Sequence, residues 1–214
     1  LGNLIDLLRE EVENANRVLE EKDSVRERAI KMSRDIIKAS RDVVTYVHSG
    51  EITKAREALE RLRTFVDEFQ KLLEPHPELK YSGFANNALT EYVEACMFFA
   101  FVIEKRVPRC SELGVHYVPY LLGMCDFVGE LRRYVVDLLR IGNFEKAFEV
   151  VTFMESVYEV LRTLDYPDAL LPGFRHKIDV MRRLVEDTKL FVMDMESRKR
   201  LSDAISNAMR VLSR

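Results

Sequence analysis

Helix breakers are scarce in this chain and they fall in clusters. Of 214 residues only 8 are Gly and 6 are Pro, and the punctuation concentrates at Ser49-Gly50, Pro75-His76-Pro77, residues 107–114, Ile141-Gly142-Asn143 and residues 166–173. Inside a helix Gly costs about 1 kcal/mol and Pro about 3 kcal/mol relative to Ala, so the long intervals between these clusters are where helix can run. Apolar residues recur there at helical spacing, as at Leu4, Leu7, Leu8, Val12, Ala15 and Leu19, and no stretch reads as a strand. With 47% hydrophobic residues the chain can bury a sizeable core. The expectation is an all-α protein: a single domain over residues 1–214, built as a bundle of about seven helices.

The first helical segment spans residues 4–21 and meets Asp23-Ser24, where Ser24 and Glu27 have the spacing of a capping box that would open a second helix over residues 25–48. One helix running straight through fits the same residues. Residues 52–73 and 144–164 each follow a Gly and carry acids and bases along one side, as amphipathic helices do. The last helix starts near Phe174 and can continue to Leu212, long enough to project beyond its own domain onto a neighbouring subunit, so self-association is expected. GEITKAREAL and GNFEKAFEVV look alike, but the 92 positions between Gly50 and Gly142 are no multiple of a common repeat length of about 34. A repeat solenoid is disfavoured.

Cys96, Cys110 and Cys125 are odd in number, widely spaced and set among apolar residues, which suggests neither a disulfide framework nor a zinc knuckle. The longest apolar run, residues 95–103, is less than half of the roughly 20 residues a spanning helix needs, and the N-terminus shows no signal-peptide pattern. A soluble, cytoplasmic protein with no membrane association is expected. Its net charge of −3 gives no global attraction to nucleic acid, so a polyanion would have to meet a local basic surface or a bound cation.

The common enzyme signatures GxGxxG, GxxxxGK, HExxH and GxSxG do not occur, and the four histidines sit on different segments without ligand spacing. The carboxylates are more informative. In EYVEACMFFAFVIEKR, Glu91 and Glu94 stand at the opening of a core-like run, one turn apart, with Cβ atoms about 5–6 Å from each other. A second pair, Asp126 and Glu130, interrupts the apolar helix YLLGMCDFVGELRRYVVDLL. Two such helices side by side would gather four carboxylates, whose mutual repulsion calls for a cation. Mg²⁺ or Mn²⁺ suits hard oxygen ligands and leaves positions for water and phosphate, and the chemistry that follows is phosphodiester hydrolysis. Two plainer accounts fit the same acids. Asp126, Glu130, Arg133 and Asp137 also read as a solvated stripe, and a helix N-terminus favours Glu91 and Glu94 through its dipole.

Lys31, Arg34, Lys38 and Arg41 form a basic stripe while Ile30, Ile37 and Val44 face elsewhere, so phosphates could be held along it. Asp35 and Asp42 lie four residues after Lys31 and Lys38, where surface ion pairs would form instead. Arg132 and Arg133 are weaker RNA-binding candidates.

ERAIKMSRDIIKASRDVV, LTEYVEACMFFAFVIEKR and PYLLGMCDFVGELRRYVVDLLRIGNFEKAFEVVTFMESVYEVLRTLD, in this order and separation, resemble the translin superfamily, in its Trax (translin-associated factor X) branch. The resemblance covers residues 26–200, and the block YLLGxxDxxGEL over residues 120–131 is its most specific part. It implies a seven-helix domain assembling into a hollow octameric barrel, binding single-stranded or duplex RNA, with Mg²⁺-dependent endoribonuclease activity. It also implies catalytic and metal-binding roles for the acids of the E-Y-V-E-A and D-x-x-G-E motifs, here Glu91, Glu94, Asp126 and Glu130. Translin-type subunits, which bind nucleic acid, lack the full acidic set. The loop over residues 107–114 is shorter than in some Trax proteins, and residues 201–214 form a C-terminal helical extension without a clear family equivalent. A metal-dependent endoribonuclease within a homo-oligomeric shell is the leading expectation. A non-catalytic single-stranded RNA- or DNA-binding shell and a helical protein-interaction scaffold are the alternatives.

Overall fold

The computed structural model describes residues 2–212, so residue 1 and the last two residues of the C-terminal extension lie outside the described part. Helix α1 (Gly2–His48) is continuous, joining the two segments that the possible capping box at Ser24 would have separated. A Ser inside a helix costs only about half a kcal/mol relative to Ala, too little to break a helix with good formers on both sides. α1 ends where Gly50 adopts φ 74°, a left-handed conformation suited to Gly, and the Glu51 N–H donates to the Tyr46 carbonyl at 2.9 Å. α2 (Ile52–Leu73) folds back along α1 and stops before Pro75.

α3 (Pro77–Lys80) is a single turn with Pro at its start, where the missing N–H is no loss. α4 (Gly83–Phe99) runs directly into a π-helical turn, Ala100–Glu104, closed by Lys105 at φ 59°. After a short α5 (Cys110–Leu113) come α6 (Tyr117–Arg140) and α7 (Phe144–Leu161), with the Asn143 side chain accepting from the Lys146 N–H at the start of α7. α8 (Phe174–Leu212) completes the described residues, as long as its spacing predicts.

α4 is the centre of the bundle. It lies between α1 and α6, and α7 and α8 pack on the far side of α6. The apolar run explains this position: Ala95, Cys96, Met97, Phe98, Phe99 and Ala100 are all buried, so α4 needs partners on every face. Burying each of the larger side chains contributes roughly 1.5–3 kcal/mol. Phe101, Phe127 and Phe153 join the π turn, α6 and α7 through ring contacts of 4.7 to 6.3 Å.

The ends of the longest helices lie outside this core. Buried side chains on α1 begin at Ala29, while Leu4, Leu8, Val12 and Leu19 are each more than 60% exposed. On α8, Leu201, Ile205, Met209 and Leu212 are likewise exposed past the last buried residue, Val192. No helix among the described residues is long and apolar enough to cross a membrane.

One expectation is corrected. Glu91 and Glu94 do not open their helix, because α4 begins at Gly83 and includes GFANNALT ahead of them. Burial of Ala85, Ala88 and Leu89 holds this segment helical despite its two Asn residues. The dipole acts within the first turn, so it does not account for two acids more than two turns inside.

Candidate functional site

α4 and α6 cross in close contact because Gly123 has no side chain. A Cβ there would meet the Thr90 carbonyl oxygen and the Val93 Cβ at 2.7 Å. Glu91 and Glu94 immediately follow these two residues, and Asp126 and Glu130 lie one and two turns beyond Gly123. The crossing therefore brings all four acids to one place. They line an open depression of about 700 Å³ together with His176 and Lys177 of α8. Glu91, Glu94 and Glu130 also border a second depression toward α1, shared with Arg41 and Arg133. The acids thus form a ridge with a basic group on either side.

The electrostatics follow from half-burial and crowding. Burial, followed by repulsion from Asp126, Glu91 and Glu130, pushes the Glu94 carboxyl up to about 8. Glu91 is also raised, chiefly by burial, with Arg41 acting in the opposite direction. Neither glutamate makes a hydrogen bond or ion pair among the described residues. The other two acids are engaged. Asp126 forms a hydrogen-bonded ion pair with Lys177, and Glu130 lies 2.7 Å from His48 Nε2 and 3.7 Å from the Arg133 guanidinium.

His48 closes α1 with its side chain 94% shielded from solvent, its Nδ1 2.9 Å from Asp137 and its ring 4.6 Å from that of Phe98. The acids of α6 are therefore not a solvated stripe: Asp126, Glu130 and Asp137 are half-buried and each has a cationic or imidazole partner.

The donor set suits a hard divalent cation, since four oxygen ligands of one charge repel one another around a single depression. The side chains are not drawn in around such an ion: among the described residues no group of three or more His, Cys, Asp or Glu has metal-holding geometry. Lys177 meets one oxygen of Asp126 and His48 one oxygen of Glu130.

The basic stripe divides. Arg41 reaches the acid ridge, Lys38 lines a separate groove between α1 and α2 with Asp35, Asp42 and Arg61, and Lys31 and Arg34 are exposed. The Lys31–Asp35 and Lys38–Asp42 pairs allowed by spacing are not formed, in keeping with the small gain such exposed pairs offer. Arg133 lies at the ridge, whereas the exposed Arg132 lines neither depression beside it.

His48 and Lys177 did not emerge from the sequence. His48 carried a faint signal, since it falls seven residues after Arg41 and so nearly on the same helical face. Lys177 carried none, being 51 residues from Asp126.

Residues 24–199 match the Translin family profile. The chain is 29% identical over 190 residues to an uncharacterised protein of Methanocaldococcus jannaschii, covering 86% of this chain and 83% of that one. It is 23% identical over 193 residues to a translin-associated protein X homolog of Schizosaccharomyces pombe, covering 83% and 84%. Over 175 residues it is 27% identical to translin-associated protein X of Mus musculus, covering 62% of this chain and 60% of that protein. In three dimensions it is similar to AfC3PO in complex with duplex RNA, with a TM-score of 0.80 and 30% identity over 88% of this chain and 97% of that one. Apo-NeC3PO superposes with a TM-score of 0.77 at 23% identity, covering 86% and 96%. With the family profile spanning most of its length and translin-associated protein X among its relatives, the chain belongs to the Translin family, on its Trax-like branch.

Proposed function

We propose that this chain is a divalent-metal-dependent endoribonuclease that acts on RNA held within a homo-oligomeric shell in the cytoplasm. The observation that carries this reading is the ridge of four carboxylates at the Gly123 crossing, where Glu94 is pushed up to about 8 by burial and by its three acidic neighbours. Such a group is held near neutrality at a cost that a bound cation would remove. The likeness to a C3PO solved with duplex RNA supports RNA as the ligand.

Glu91, Glu94, Asp126 and Glu130 would hold Mg²⁺ or Mn²⁺. A divalent ion there supplies charge neutralisation at the phosphate and makes water more acidic. Where Glu130 is not itself on the metal, this carboxylate, held by His48 whose other ring nitrogen meets Asp137, would orient the attacking water and take its proton. Arg41 and Arg133 are placed to meet backbone phosphates beside the ridge, with Lys31, Arg34, Lys38 and Arg132 as outlying phosphate contacts. The exposed apolar residues on the ends of α1 and α8 give copies of the chain surfaces on which to assemble, and an octamer is the assembly implied by the family resemblance.

A second reading, a non-catalytic RNA-binding shell, is favoured by one observation: Asp126 and Glu130 are already paired with protein groups. Incubating labelled RNA with the protein in Mg²⁺, in Mn²⁺ and in chelator separates the two. Cleavage with metal that disappears in chelator is expected, and no cleavage with either ion refutes the nuclease. In the Asp126→Asn variant, cleavage should be lost while oligomer size and RNA binding stay intact; unchanged cleavage would remove Asp126 from the site.

A further inference from the structure

Lys177 is the only cationic side chain that pairs with Asp126 among the described residues, and it reaches the ridge from the first turn of α8 rather than from either helix that carries the acids. Lys177 lines the depression bordered by all four carboxylates, with its ammonium on Asp126, and it offsets charge at both Glu91 and Glu94. A lysine on a flexible four-carbon stem can turn from one anion to another without any backbone movement. Lys177 is about a third exposed, which leaves its head room to turn toward the open side of the depression.

We infer that Lys177 has two alternating partners: it is the resident counter-ion of Asp126 in the metal-free chain and a catalytic phosphate-binding cation once Asp126 turns to a divalent ion. This rests on the nuclease reading above and adds to it a residue outside the acidic motifs. In the first state Lys177 offsets the negative charge of the ridge. In the second its ammonium donates to a non-bridging oxygen of the scissile phosphate, where negative charge grows as the attacking oxygen bonds to phosphorus and before the leaving oxygen departs with its electron pair. No proton or electron changes hands at Lys177; it acts by charge and hydrogen bonding alone.

The two roles predict opposite effects of one substitution. Lys177→Met in the full chain keeps the length of the stem and removes the charge. Mg²⁺ and Mn²⁺ uptake, measured by calorimetry after chelator stripping, should tighten roughly two- to fivefold, because Asp126 no longer has a competing partner. Cleavage of labelled RNA at saturating metal should fall by about a hundredfold. Lys177→Arg, which restores a cation, should recover part of the cleavage and relax metal affinity toward that of the unsubstituted chain.

Tighter metal binding with undiminished cleavage would show a counter-ion that never meets substrate and overturns the inference. Weaker metal binding would show that Lys177 only props Asp126 in place, and also overturns it. If the unsubstituted chain takes up neither ion and cuts no RNA, the nuclease reading falls and this inference falls with it.

Discussion

Gly123→Ala tests whether the α4–α6 crossing sets the site. The added Cβ would lie 2.7 Å from the Thr90 carbonyl oxygen and from the Val93 Cβ and Cγ1, about 0.7 Å short of the 3.4 Å at which ordinary contact begins. The first two of these atoms are backbone or fixed to it, so side-chain rotation gives no relief and the helices must part. Overpacking of this kind costs about 1–3 kcal/mol, against a gain of about 1 kcal/mol from replacing Gly by Ala in a helix. The expected result is a net loss of up to about 2 kcal/mol, read as a fall in thermal midpoint of up to about 8 °C in chelator, and a chain about 1–3 kcal/mol less stable than Gly129→Ala. The built-in control is Gly129→Ala on the same helix, where the new Cβ meets nothing within 4 Å and the propensity gain stands alone. Because the acids flank the crossing, the same displacement should also weaken Mg²⁺ uptake and lower RNA cleavage by roughly tenfold or more. A Gly123→Ala chain as stable as Gly129→Ala, with metal uptake unchanged, would refute the claim that the crossing fixes the acids.

In metal-free protein the raised Glu94 carboxyl makes stability fall as pH rises. Its folded value near 8 against an ordinary 4.5 means folding favours the neutral acid, so this stabilisation is complete below about pH 4.5 and is lost as pH climbs through 8. Urea denaturation in chelator should show a decline of up to about 1.4 kcal/mol per pH unit between pH 5 and pH 8, which Glu94→Gln flattens; an unaltered slope in the variant would show that Glu94 is not the titrating group. His48→Ala leaves Glu130 and Asp137 without their imidazole and opens space beside Phe98, so it should cost about 2–4 kcal/mol by urea denaturation. A loss under about 0.5 kcal/mol would show that the clasp contributes little.

The fold class was legible because helix breakers act locally: Gly50, Pro75, Gly142 and Gly173 sit at the observed turns, and helices fill the intervals between them. Local signals also misled. The Ser24 and Glu27 pattern resembles a helix start, yet nothing in the surrounding sequence opposes continuation, and α1 runs through it. The Asn86-Asn87 pair delays recognition of α4, whose early residues are held helical by the burial of their neighbours rather than by propensity. For the site, the four acids were visible because each pair sits one turn apart in an otherwise apolar helix. Their partners were not. His48 and Lys177 reach Glu130 and Asp126 across 82 and 51 residues of chain, and such pairings depend on how helices pack rather than on any periodicity.

α1 has a mechanical consequence. Its 47 residues form an unbroken rod, roughly 70 Å long at about 1.5 Å per residue. One end carries the unpartnered apolar side chains of Leu4, Leu8 and Val12, and the other carries Arg41 and His48 against the acid ridge. No Gly or Pro lies between Gly2 and Gly50 to act as a joint. The exposed apolar arm is therefore tied without a joint to the segment that places Arg41 and His48 beside the carboxylates.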